Sequence, residues 1–284
     1  MLLACAVVWQ AGLGRRWTER IPPWFSIAYD YMGTETFPAP GDRDLPADDV
    51  PARYERRQQV SDNSGRPQQV VVEDRYTVRA MTSDTILFEY VTHETVDPAT
   101  GAHATPGRHR DILLFPRETE RRTYWLRGNY VKGIPLAFER VDHIEGLETF
   151  VFSYSGPAEY TESYASTAAL LGVTLGPGQE IRCADDGFRY RTWIEPATGA
   201  VVKVEEGCTS GDYVFDVATG ARLNPIDRWS GVTTARSLFM RATYVRTLRT
   251  RYLLASRYLP GGLALGGVML LVASVAPRTH RVDE

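Results

Sequence analysis

Few side chains in this sequence have the type and spacing to do chemistry. Cys183 and Cys208 flank the stretch WIEPATGAVVKVEEG (Trp193 to Gly207), where two runs of alternating apolar residues surround Pro-Ala-Thr-Gly. The pattern reads as a hairpin, and antiparallel pairing of its arms would bring the two thiols close enough to bridge. A disulfide would belong to an oxidising compartment; two unbridged buried thiols are the alternative. Asp142, Glu145 and Glu148 of DHIEGLE could carry protons, but they border a glycine turn without a partnered nucleophile, so no catalytic residue and no enzymatic activity is assigned. His93, His103, His109 and His143 lack metal-ligand spacing, and GLGRRW lacks the glycines of a phosphate loop, so neither metal nor cofactor is expected. Asp74 stands apart. In VVVEDRYTVRA it shares a strand face with Val70, Val72, Tyr76 and Val78. A buried unpaired carboxylate is too costly, so Asp74 pairs with an arginine, lines a wet cavity or sits at a strand end.

The elements that must position these residues are mostly strands. Alternation with period two runs through VVVEDRYTVRA, DTILFEYVTHE, LETFVFSYSG and FRYRTWIE, each a half-buried strand pattern. Asp97, Glu195 and Asp216 begin three near-identical turns, DPATGAH, EPATGAV and DVATGAR. In the first two Pro sets φ near −65°, where the third has Val, and in all three Gly supplies a positive φ, so these are hairpin corners rather than sites. The expected fold is mainly β with minor α: a curved antiparallel sheet, half-barrel or meander, in an extracytoplasmic domain, followed by a long helix entering the membrane. A short helix is expected at YTESYASTAALLGV, and FPAPGDRDLPADDVP reads as a loop.

At 284 residues the chain can bury a substantial core, and a net charge of −3 gives no electrostatic footprint for nucleic acid. Its ends differ from the rest. YLPGGLALGGVMLLVASVAP, Tyr258 to Pro277, has no charged residue and matches a bilayer core of about 30 Å as a helix. MLLACAVVWQAGLG is apolar but short for a span; it reads as a truncated anchor, a buried helix or a signal. The expected organisation is an N-terminal anchor over 1–20, a β-rich domain over 21–232, an arginine-rich helix over 233–257, a span over 258–277 and a tail over 278–284. In the arginine-rich helix Leu238, Val245, Leu248 and Tyr252 share one face. Arg246, Arg249, Arg251 and Arg257 are candidates for contact with lipid phosphates, a solvated stalk being the other reading. Gly262 and Gly266 form a small-x-x-x-small pair suited to helix packing and a homo-oligomer in lipid. The excess of arginine before the span favours a cytoplasmic domain, but long domains translocate largely regardless of charge. An N-terminal span or signal places the domain outside.

The order of DILLFPRETERRTYWLRGNYVKGIPLAFERVDHIEGLETFVFSYSG, then YRTWIEPATGAVVKVEEG, then a helix and a C-terminal span, resembles the porin PorA family of actinobacterial envelope proteins, classed as a domain of unknown function. The likeness runs from about Leu113 to Pro277, with FSIAYDYMGTETF matching the first strand. It rests on Phe115-Pro116, Thr123-Tyr124, Gly146 to Phe150, Glu195-Pro196 and Thr198-Gly199, all turns and strands. The resemblance implies a two-anchor protein of the cytoplasmic membrane with a large β-rich domain outside. The functional expectation is a non-enzymatic binding or scaffolding protein for a lipid or apolar ligand, or for an envelope protein partner. Phe150, Phe152, Tyr154, Phe188 and Tyr190, with Asp74, are candidate lining residues. The alternative is a channel component, as the family name suggests.

Overall fold

The computed structural model describes residues 9, 21, 25–36, 49–66, 69–104, 111–126, 133–159, 174–208 and 211–275. The YTESYASTAALLGV helix, His109 and, apart from Trp9, the N-terminal anchor fall outside them.

Twelve strands follow one another: β1 (Ser26–Thr36), β2 (Val50–Arg66), β3 (Gln69–Ala80), β4 (Ile86–Val96), β5 (Asp111–Ile112), β6 (Tyr124–Leu126), β7 (Ile134–Ile144), β8 (Leu147–Glu159), β9 (Gln179–Glu195), β10 (Ala200–Gly207), β11 (Asp212–Asp216) and β12 (Ala221–Thr233). They form one open sheet in the order β4-β3-β2-β1-β12-β10-β9-β8-β7-β6-β5, with β11 beside β12 and β9. The pairs are antiparallel except β5 with β6. It does not close into a barrel.

Alternation decides which face each strand buries. In β3 Val70, Val72, Asp74, Tyr76, Val78 and Ala80 are buried, and their register partners on β2 include Val60, Gln58, Arg56, Tyr54 and Ala52. In β1 the buried set is Ile27, Tyr29, Tyr31 and Glu35. The apolar members of these sets join Phe150, Phe152, Phe188, Tyr190 and Ile194 in the larger core cluster on the inner face. The outer face of β1 to β3 carries Arg53, Glu55, Arg57 and Arg75, as expected of strands wet on one side.

The three related turns share one geometry. Gly101, Gly199 and Gly220 have φ of 76°, 67° and 70°, and each donates its N–H to the carbonyl four residues back, at 2.8, 2.9 and 2.9 Å. The acid that starts each turn accepts backbone N–H groups within it, from Ala99, from Thr198 and from Thr219. All three are corners.

A continuous C-terminal helix follows: α1 (Ala235–Leu253), a π turn (Leu254–Tyr258) and α2 (Leu259–Val275). Thr234 caps α1 by accepting the Ser237 N–H at 3.0 Å. The π turn has a local cause. Pro260 has no N–H for the carbonyl of Ser256 and its ring crowds that carbonyl; a wider turn, with Leu259 N–H bonding to Leu254 O, relieves both. Ala235–Ser274 is long and apolar enough to cross a membrane. Leu254 to Val275 alone reaches about 33 Å at about 1.5 Å per residue.

Over its first half the arginine-rich helix packs on the domain and does not stand free of it. Ala242 and Val245 are fully buried against Ile144, Leu147, Val151, Trp193, Ala200 and Val202, with Leu238 and Leu248 beside them, so α1 docks on the outer face of the sheet.

Candidate functional site

Where β12 ends at Thr233, β1 and β10 separate and α1 fills the gap. The Thr233 hydroxyl accepts the Val204 N–H at 2.9 Å and meets the Val204 carbonyl at 3.1 Å, completing the ladder that β12 leaves open. Ser237 Oγ accepts the Asp30 N–H at 3.2 Å. Arg241, 5% exposed, donates to the Val201 carbonyl and lies 4.3 Å from the Tyr29 ring centroid. Its Nε has no hydrogen-bond partner.

Inside that seam the inner face holds a polar cluster among tyrosines. Arg56 Nε donates to Asp74 Oδ1 at 3.0 Å and Nη2 to Oδ2 at 2.6 Å, the two-pronged geometry that suits guanidinium and carboxylate. Gln58 Nε2 donates to Asp74 Oδ2 at 2.9 Å, which fixes the amide's orientation and leaves Gln58 Oε1 as an acceptor without a partner in a residue 2% exposed. Glu206 of β10 accepts from the Tyr76 hydroxyl of β3. Four strand steps separate β3 from β10, about 19 Å along a sheet at about 4.8 Å per step. One side-chain hydrogen bond spans them only because the sheet curls, so the cluster crosses a concavity.

Its electrostatics follow from depth. Burial is the main reason the Glu206 carboxyl is pushed up to about 7, with Asp74 adding to it and Arg56 opposing. Burial also raises the phenols of Tyr31, Tyr54 and Tyr190 above their ordinary range. Burial alone would lower the Arg56 guanidinium, but the Asp74 carboxylate more than offsets it. Arg56 and Glu206 lie deep in the protein, yet Arg56 keeps 25% of its side chain accessible and Glu206 is only half-buried. Both groups therefore stay partly accessible on the inner face.

The structure sorts the residues singled out from the sequence. Asp74 is paired with Arg56. Phe150, Phe152, Phe188 and Tyr190 are buried, and Tyr154 is half-buried. Phe152 packs 5.0 Å from Phe115, Phe150 5.6 Å from Phe138, and Phe188 6.4 Å from Tyr190, ring centre to ring centre. They are core walls, and Tyr190 alone among them also faces the polar cluster.

Cys183 and Cys208 do not meet. Gly207 pairs with Arg189, so Cys208 follows at the level of Phe188, while Cys183 pairs with Asp212. The five residues from 183 to 188 span about 16 Å at about 3.3 Å each, too far for a disulfide. Cys208 is not bridged; its Sγ accepts the Trp229 N–H at 3.2 Å. A bulge between Val201 and Lys203 and the extension of β9 onto β11 break the symmetry that a plain hairpin would give.

Of the arginines, Arg246 donates to the Glu145 carbonyl, Arg249 lies 3.4 Å from the buried Glu195, and Arg257 bonds Glu118 at 2.9 Å; Arg251 is exposed. A Cβ at Gly262 would meet nothing within 4 Å. Among the described residues no group of three or more metal-ligating side chains occurs.

Arg56, Gln58 and Glu206 escaped the sequence reading. The signal was the one that marked Asp74: on β2 the face Ala52, Tyr54, Arg56, Gln58, Val60 is polar only at its centre.

A search of curated proteins finds no match. The family model described as Porin PorA matches residues 42–276, a range that takes in β2 to α2. With most of its length covered by that match, the chain belongs to the Porin PorA family.

Proposed function

We propose that this protein is a membrane-anchored envelope protein whose β-domain stands on the extracytoplasmic side and binds an amphiphilic, lipid-class ligand in the concavity of its sheet, without catalysing a reaction. The observation that carries the reading is the partly accessible polar cluster of Arg56, Asp74 and Glu206 on the inner face of an aromatic-walled curved sheet. Aromatic walls bury an apolar body while a few convergent polar groups orient its head. The one apolar helix supplies the anchor.

The experiment is native mass spectrometry of the full chain in nanodiscs, followed by titration with amphiphiles. Saturable one-to-one binding, weakened when Tyr190 is changed to Trp to crowd the inner face, is expected. A chain that binds no amphiphile at any concentration below the critical micelle concentration defeats the reading.

The family match favours a second reading, a channel component. Against conduction by strands, the sheet is open and its outer face on β1 to β3 is charged, whereas a membrane barrel needs an apolar outer band. Conduction would then fall to oligomerised helices. Single-channel steps that vanish on deletion of 254–275 would establish it.

A further inference from the structure

We infer that the π turn of the C-terminal helix is a docking socket for the chain's own N-terminal segment, residues 1–9, which lies along one face of the apolar helix beyond it. The inference does not depend on what the β-domain binds. The turn creates the acceptor. In an unbroken α-helix the Ala255 carbonyl would take the Leu259 N–H. Here that N–H goes to the Leu254 carbonyl, and the next residue along, Pro260, has none to give. Ala255 is itself only 6% exposed, and a buried backbone carbonyl needs a donor. The Trp9 indole Nε1–H supplies one at 3.0 Å.

A second observation carries the contact past the turn. Ser256, Pro260, Leu263, Ala264 and Gly267 recur at helical spacing and are buried or half-buried, while Tyr258, Leu265 and Met269 opposite them are exposed. Leu271 and Ser274 continue the same stripe toward the end of α2 and are exposed. A helix does not cover one of its own faces along only part of its length, so a neighbour lies there and stops near Gly267. Among the described elements α2 makes its main contact with the π turn, not with the sheet. Residues 1–8 lie outside the described residues, but three facts make them the occupant. They join Trp9 where the stripe begins. MLLACAVVW carries no charge. Eight residues reach about 12 Å as a helix, most of the roughly 18 Å from Ala255 to Gly267. Leu2, Cys5 and Trp9 stand at i, i+3 and i+7, the spacing of one helical face. Ala264 and Gly267 on the stripe are small enough to let that face come close.

The test uses the full chain in nanodiscs, prepared from a mixture of ordinary and heavy-nitrogen-labelled protein, with mild copper-phenanthroline oxidation and mass mapping of the linked peptides. The native Cys5 is paired with Ser256→Cys or, on the opposite face, Tyr258→Cys. Leu2→Cys, with Cys5 changed to Ala, is paired with Leu263→Cys or, opposite, Leu265→Cys. Bonds within one molecule are expected at Ser256→Cys and Leu263→Cys, about tenfold or more faster than at the opposite-face positions. Trp9→Phe keeps a ring but loses the N–H and should slow the bond from Cys5 severalfold. Pro260→Ala lets Leu259 return its N–H to Ala255 and should slow it equally, with no further loss when the two changes are combined. Mixed-isotope bonds on the stripe would seat a second copy there and overturn the inference. Equal rates on the two faces, or no bond at either stripe position, would overturn it as well. If Trp9→Phe reacts at the parent rate, the socket assigned to the π turn falls.

Discussion

Single residues in this protein carry constraints that can be broken one at a time. Gly199 sits at φ 67°, and a Cβ there would lie 2.4 Å from the Phe115 carbonyl and 2.3 Å from that of Pro116. Gly199→Ala combines a left-handed backbone with a backbone clash, so a loss of about 2 kcal/mol or more is expected in thermal or denaturant unfolding. Glu206 works in the opposite direction at alkaline pH. Its folded-state pKa is raised from 4.5 to about 7, so its contribution to stability is full below about 4.5 and is lost as pH climbs through 7. Glu206→Gln should thus raise the unfolding temperature at pH 8 and leave it nearly unchanged at pH 5, the gain being at most on the order of 3 kcal/mol. An unchanged pH profile would show that the carboxyl is not buried in its charged form. Asp74 was legible from sequence because it interrupts a clean apolar face. Arg56 and Gln58 were less so, because within YERRQQ every residue but Tyr54 is polar and the inward face shows only over the longer run from Ala52 to Val60.

Elements bring these residues together, and their docking was less legible than their existence. Strand alternation and the three glycine corners are visible because each is a local rule. The apolar face of α1 was visible too, through Leu238, Val245 and Leu248; a periodic face does not say what covers it, and here the sheet does. The cysteine pair misled for the same reason, since a bulge and a strand extension are not written in spacing. Arg241 joins helix to sheet most directly. Arg241→Ala removes its bond to the Val201 carbonyl and its packing on Tyr29, and a cost of about 1–3 kcal/mol is expected. Hydrogen exchange should quicken at Asp30 and Val204, whose amides bond Ser237 and Thr233. The β3–β4 hairpin should be unaffected; acceleration spread evenly over the sheet would show a global rather than a seam effect.

At the scale of the molecule, a large open sheet runs into an apolar helix long enough to cross a membrane. The proposed extracytoplasmic placement makes a direct prediction. Protease added to intact spheroplasts should cleave the β-domain, for instance after arginines of the exposed face of β2, without permeabilisation. Cleavage seen only after lysis would put the domain in the cytoplasm and remove the two-anchor arrangement. The unbridged Cys208 means that thiol chemistry gives no vote on compartment.

The seam between β1 and β10 has a mechanical side. Its plug, Arg241, belongs to the same uninterrupted helix that runs on through the π turn to Val275. In the proposed membrane-anchored arrangement, a rod held at one end by a bilayer and at the other by a sheet works as a crank: rolling or tilting the span turns Arg241 against Tyr29 and Val201, so this wall of the sheet is geared to the membrane rather than to the domain alone.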